Sequence, residues 1–188
     1  MRSRIFSLGV LAPLIFAGAT ALAEEARAPE PQSYRMQDYR SPTPPTLAGA
    51  RVLTTAEAAE LWRSGQGVFI DVVARAPRPA NLPEGTLWRD KPRSDIPGSI
   101  WLADTGYGAL NPAMEAYFRK NIDRIAGSAR EKTLVFYCLK DCWMSWNAAK
   151  RAAAMGYPHI AWYPEGTDGW TAAGLPVELK EPAPRPET

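Results

Sequence analysis

Between about residue 50 and residue 180 the apolar positions change period repeatedly. Thr54-Thr55-Ala56-Glu57 has the form of a capping box, with Ala58, Leu61 and Trp62 on one helical face and Gly65 as the stop. Val68-Phe69-Ile70-Asp71-Val72-Val73 is an apolar run broken only by its Asp, the pattern of a strand buried on both faces. A Pro-rich excursion from Arg75 to Pro97 follows, then a short strand at Ser99-Ile100-Trp101-Leu102. Asn111-Pro112 supplies a cap and a first-turn proline for a helix on which Met114, Tyr117, Phe118, Ile122 and Ile125 recur at helical spacing. Thr133-Leu134-Val135-Phe136-Tyr137 reads as a second buried strand, running straight into Cys138. A helix from about Trp143 to Met155 stops at Gly156, His159 to Tyr163 forms the next strand, and Gly166 to Gly174 reads as a turn-rich close before Leu175-Pro176-Val177. Strands separated by helices predict an α/β fold: one domain with a mostly parallel central sheet flanked by helices on both faces. Ligands of such sheets bind beyond the carboxyl ends of the strands, where Cys138 falls.

The ends of the chain carry different information. Arg2 and Arg4 precede an apolar stretch from Ile5 to Ala19, and Ala21-Leu22-Ala23 offers small residues for cleavage. Residues 1–23 are therefore expected to be a cleaved signal peptide, giving a periplasmic protein with no membrane anchor. Residues 24–48 are a Pro-rich extended arm, with Tyr34, Met36 and Tyr39 as contacts for the domain. The domain is expected over residues 49–180 and a disordered polar tail over 181–188. Loss of the leader removes two of the 22 basic side chains and none of the 20 acidic ones, leaving 20 of each. A neutral chain has no basic stripe to displace counterions, so nucleic acid is excluded as a partner on charge grounds.

The two cysteines, Cys138 and Cys142, are separated by Leu139, Lys140 and Asp141, and Trp143, Met144 and Ser145 complete the loop. In an oxidising compartment a structural disulfide is the plain reading. So small a loop gains little from chain entropy, however, and a strained bridge is exchangeable. A thiol at a strand end, facing the next helix, sits among unpaired backbone N–H groups that favour its thiolate. Lys140 would add to that effect and Asp141 would oppose it.

Several segments together resemble a rhodanese-like domain. They are Phe69-Ile70-Asp71-Val72, Ile96-Pro97-Gly98-Ser99-Ile100, Leu134-Val135-Phe136-Tyr137-Cys138 and the run from Tyr163 to Val177, which holds Gly169-Trp170 and Gly174-Leu175-Pro176. The Cys138-x-x-x-Cys142-Trp143 signature with the arm Tyr34-Arg35-Met36-Gln37-Asp38-Tyr39-Arg40 resembles a narrower set. These are the exported CXXCW-motif proteins associated with catabolism by pyrroloquinoline quinone (PQQ)-dependent alcohol dehydrogenases. The resemblance implies catalytic Cys138 and Cys142: Cys138 attacks or carries sulfane sulfur, and Cys142 resolves it as a disulfide. It implies a small thiol or persulfide substrate and a PQQ-dependent dehydrogenase or cytochrome as partner. No cofactor and no resident metal are implied.

The sequence departs from the rhodanese pattern in two places. Asp141, Cys142, Trp143 and Met144 stand where the family has Gly and a basic residue, and Val73 replaces an Arg after Asp71. Phosphatase chemistry, which needs an Arg on the phosphate, is therefore not expected. The alternative reading is a non-catalytic binding or assembly factor with a structural disulfide, passing copper or recruiting a dehydrogenase. His159, the sole histidine, is expected to be structural, and Trp143 in place of His after Cys142 argues against c-type haem attachment. Trp143 and Trp146 are expected mainly to pack, and Asp71 to cap a helix or pair with an Arg.

Overall fold

The computed structural model of the chain describes residues 29–77, 79–87, 89, 92–129 and 131–185. The expected signal peptide lies outside the described residues. The elements run β1 (Arg51–Val52), α1 (Thr55–Arg63), β2 (Gly67–Asp71), β3 (Arg93–Asp95), β4 (Ile100–Trp101), α2 (Pro112–Ser128), β5 (Thr133–Tyr137), α3 (Trp143–Ala154), β6 (Ile160–Tyr163), α4 (Gly166–Ala172) and β7 (Glu178–Lys180). Five strands form one sheet in the order β1-β6-β5-β2-β4, and every pair in it is parallel. The α/β architecture expected from the alternation is therefore present, with apolar cores on both faces of the sheet.

The strand period of two divides β5 and β6 between those cores. Leu134, Phe136, Cys138, Ile160 and Trp162 face α2 and α3, where Phe118 and Phe136 pack with ring centroids 6.1 Å apart. Val135, Tyr137, Ala161 and Tyr163 face the opposite side, with Ala58 of α1 and Trp170 of α4. The chain leaves β2 toward β4 and leaves β5 toward β6, which are opposite directions across the sheet. A crevice between two diverging connections is where such sheets place their sites. Asp71 and Cys138 stand at its rim.

Three segments differ from the sequence reading. The Pro-rich excursion contains β3, which pairs antiparallel with β7, so that Ser94 lies opposite Leu179; a three-residue strand with a remote partner has no local signature. The turn-rich close is a helix, α4, which lacks a side-chain cap and is tied down by the buried indole of Trp170 donating to Pro176 O at 2.7 Å. Tertiary packing overrides its two glycines. The described part of the tail is docked, with Ala183 N–H donating to Trp101 O at 2.8 Å and Tyr117 Oη donating to Ala183 O at 3.0 Å.

The arm lies along α3, whose buried residues include Trp143, Trp146, Asn147 and Arg151. A helix covered on all sides needs a second layer over its outer face, and residues 31–47 supply it. Asn147 clasps the arm twice, accepting from Arg35 N–H at 2.9 Å and donating to Arg35 O at 2.9 Å, and donates also to Gly106 O at 3.0 Å. Arg151 spends its guanidinium on the carbonyls of Thr105, Tyr107 and Gly108 and lies 4.8 Å from the Tyr34 ring centroid. Of the three expected arm contacts, Tyr34 and Tyr39 pack, the latter 5.4 Å from Tyr107, whereas Met36 is 60% exposed.

Candidate functional site

The loop of Leu139, Lys140 and Asp141 joins β5 to α3, with one cysteine at each end. Both cysteines are free thiols in the structure. At the strand end, three donors converge on the Cys138 carbonyl: Thr167 N–H at 3.0 Å, Thr167 Oγ1 at 3.4 Å and Arg93 Nη2 at 3.3 Å. Gly166, at φ +52°, approaches from the other side, and a Cβ there would lie 2.4 Å from the same oxygen. Only glycine fits that approach.

Beneath this carbonyl, Arg93 sits between two fully buried carboxylates. Its Nε donates to Asp71 Oδ2 and lies 2.8 Å from Asp95 Oδ1. One N–H cannot point at both, and it points at Asp71, so neither Asp95 oxygen receives a well-aligned hydrogen bond. Burial, with the Asp71 charge as second cause and against the pull of Arg93, pushes the Asp95 carboxyl up to about 9. Asp71 also accepts from Val73 N–H at 2.9 Å. The expectation that Asp71 would pair with an arginine is met by Arg93, which sequence reasoning did not single out. Its only local signal was a charged Arg-Ser-Asp triplet inside a Pro-rich stretch.

The helix end is built differently. Asp141 takes φ +51°, a left-handed conformation that Asp tolerates, and turns the chain into α3. Lys140 is drawn away: its N–H donates to Asp168 Oδ2 at 3.0 Å and its ammonium lies 3.3 Å from Glu165. Cys142 is the N-cap residue of α3, with an extended backbone and no formed cap hydrogen bond from its side chain. The next amide, Trp143 N–H, donates to Tyr39 O of the arm at 2.8 Å. Trp143 and Trp146 pack edge to face at 5.4 Å and donate to Ser41 Oγ at 3.0 Å and Thr46 O at 3.1 Å.

The two sulfurs are unequal. Cys138 is completely buried, with Sγ 3.3 Å from Cys142 O and 3.7 Å from Leu139 O. Burial, then the neighbouring Cys142, pushes its thiol well above the usual range. Cys142, 3% exposed, is held at about 7. The hydrogen bond offered by Cys138 is the main cause; burial opposes it, and the Met144 and Leu139 N–H groups and the Arg40 charge assist. The amides expected to favour the thiolate of the first sulfur thus act on the second. Met144 is buried, and Ser145, also buried, donates to Cys142 O at 3.3 Å and accepts from Trp162 Nε1 at 3.0 Å.

The rhodanese-like domain model matches residues 54–173. The chain belongs to the rhodanese-like domain family. No curated protein matches it. Among solved structures, the rhodanese-like chain is similar to a Rhodopseudomonas palustris protein of unknown function described as a possible tyrosine phosphatase. That match has 27% identity, covers 69% of this chain and 85% of the other, and has a TM-score of 0.42. An uncharacterised Saccharomyces cerevisiae protein matches at 20% identity, covering 68% of this chain and 95% of the other, with a TM-score of 0.39. The wild-type structure of EanB matches at 25% identity, covering 76% of this chain and 34% of EanB, with a TM-score of 0.44.

The remaining sequence candidates fall away from the loop. His159 precedes β6, and its carbonyl accepts from Leu134 N–H at 2.8 Å, at the amino-terminal edge of the sheet. The length of β5 puts it roughly 15 Å from the cysteines. Among the described residues no three His, Cys, Asp or Glu side chains gather as a metal-binding group. No helix among them is long and apolar enough to cross a membrane.

Proposed function

We propose that this rhodanese-like protein performs thiol–disulfide or persulfide exchange in the periplasm, with Cys142 as the attacking sulfur and Cys138 as the resolving one. The observation carrying the reading is the inequality of the two sulfurs. Cys142 stands at the helix start, where the neighbouring Cys138 thiol and the amides of Met144 and Leu139 favour its thiolate, while Cys138 is completely buried with its Sγ 3.3 Å from Cys142 O. The order is the reverse of the one the family resemblance implies.

In the forward step the Cys142 thiolate attacks one sulfur of a substrate disulfide. The substrate S–S bond breaks, and the leaving thiolate departs with the electron pair and takes a proton from solvent. Cys138 then attacks the Cys142 sulfur, breaking its bond to the second substrate sulfur, and the Cys138 proton passes to the departing substrate thiolate. The substrate has gained two electrons and the loop is oxidised to a Cys138–Cys142 disulfide, which an external dithiol restores. With a persulfide donor, sulfane sulfur passes to Cys142 and the same resolving attack releases hydrosulfide.

Mass spectrometry after exposure to a disulfide or persulfide donor tests the order. Cys138→Ser should trap an adduct on Cys142, and Cys142→Ser should trap none at neutral pH. Equal trapping by both variants would instead favour a binding or assembly factor. The arm and the Cys-Trp signature support a finer reading, in which the protein serves PQQ-dependent alcohol oxidation beside an exported dehydrogenase or cytochrome. That reading requires an export leader, so the mature periplasmic protein should begin at Glu24. A deletion strain should lose growth on alcohols and recover it with the wild-type chain but not with Cys142→Ser.

A further inference from the structure

The helix that follows the cysteine loop lacks a basic side chain at its start, and Lys140 is turned toward Glu165, 3.3 Å away. A cation nevertheless faces Cys142, and it comes from the arm. Arg40 and Cys142 form an isolated antiparallel bridge. The hydrogen bond beside it runs from Trp143 N–H to Tyr39 O, so the flanking residues carry the ladder bond and Arg40–Cys142 is the non-hydrogen-bonded pair. In such a pair the two Cα atoms approach to about 4.5 Å and the side chains leave on the same face. Arg40 is exposed, and among the described residues it has no carboxylate partner. Its charge acts on the Cys142 sulfur.

We infer that Arg40 is the substrate-selecting cation of this site, recognising a small organic disulfide or persulfide donor that carries a carboxylate or sulfonate near its reactive sulfur. The inference rests on Cys142 being the attacking sulfur. A guanidinium beside the thiolate draws the anionic group of the donor to the mouth of the site and offers it paired N–H donors. Attack then proceeds as above: the donor S–S bond breaks, and the leaving thiolate carries away both electrons. The arm is thus part of the active site, anchored by Asn147 and Tyr39 so that Arg40 is paired with Cys142.

The test compares two chromogenic disulfides on the full mature chain: the dianionic dithiobis(nitrobenzoate) and the neutral dithiodipyridine. Arg40→Gln should slow the anionic probe about three- to tenfold more than the neutral one, Arg40→Lys should recover most of the preference, and high salt should erase it in the wild type. Backbone bonds hold the arm at this point, so the Trp143 and Trp146 near-ultraviolet signal should not change in either variant. Peptide mapping identifies which cysteine is modified. An unchanged anionic-to-neutral ratio in Arg40→Gln, with Cys142 still modified, overturns the role of Arg40 and leaves the attacking sulfur standing. Modification of Cys138 in place of Cys142 in the wild type overturns both.

Discussion

The two ends of the cysteine loop are held by opposite means. At the strand end, groups from two remote segments grip one carbonyl: Thr167 with the close approach of its neighbour Gly166 from α4, and Arg93 from β3. At the helix end, a single exposed strand of the arm crosses the loop through Trp143 N–H and Tyr39 O. The first arrangement fixes where the loop begins at the cost of burying charge. The second leaves the sulfur of Cys142 responsive to neighbours on or near the surface. On the proposed reading, rigidity and reactivity fall at different ends of a loop with only three residues between its cysteines.

The strongest break in that contrast is Arg93→Ala, which strips the partner from two buried carboxylates and one of three donors from the Cys138 carbonyl. Removing one member of a buried ion pair costs about 3–5 kcal/mol, read from the midpoint of chemical denaturation. A loss under about 1 kcal/mol would mean that the cluster does not hold the strand end. Asp95→Asn tests the same cluster from the other side. The folded state keeps the Asp95 proton up to about 9, whereas the unfolded chain releases it near 4. Its stabilising contribution is therefore fully present below pH 4 and declines as pH rises through that window. Asparagine keeps the shape of the protonated acid, so the variant should gain on the wild type steadily between pH 5 and pH 8.

The cysteines give the next largest effect. Cys138→Ser replaces the thiol that does most to hold the Cys142 sulfur at about 7. The Cys142 value should move up toward about 8.5, lowering its thiolate fraction at pH 7 by about tenfold and shifting the rate profile with a neutral disulfide to higher pH. A profile that stays at about 7 would mean that the amides of Met144 and Leu139 hold the thiolate without help from Cys138.

Most of this fold could be read in the chain, and less of its site. The capping box at Thr54, the Asn111-Pro112 start and the apolar runs at β2, β5 and β6 are local signals, and each one formed. The loop was legible too, because a Cys pair between a strand and a helix needs no partner to be noticed. What escaped the reading depends on contacts across long separations. Arg93 reaches Cys138 across 45 positions, and β3 pairs with a strand near the end of the chain. The unequal sulfurs escaped for a related reason: spacing places both cysteines at the loop, but the burial of Cys138 and the neighbours that favour the Cys142 thiolate, Cys138 first among them, set the two apart. Arg40 lies about a hundred residues from the sulfur it faces, inside an arm whose prolines read only as an extended segment.

The smallest effects sharpen the contrast because two comparable losses should have different reach. Asn147→Ala removes three hydrogen bonds, two to Arg35 and one to Gly106, and should cost about 1–3 kcal/mol. Because those bonds clasp the arm, the variant should also lose preference for an anionic disulfide and expose the arm to proteolysis. Thr54→Ala removes the side-chain half of the capping box of α1, the Thr54 Oγ1 bonds to Glu57, and should cost about 1 kcal/mol. Glu57 is held at about 2, first by the Thr54 backbone N–H and then by Arg51. Its depressed value means that its contribution is present above the unfolded range near 4 and is lost as pH falls toward 2, so the penalty of Thr54→Ala should shrink in acid. Helix α1 lies on the face of the sheet away from α3 and the arm. Thr54→Ala should therefore leave the rate and charge preference of Cys142 unchanged at neutral pH. If it moves them as far as Asn147→Ala does, the sulfur responds to global stability rather than to the arm.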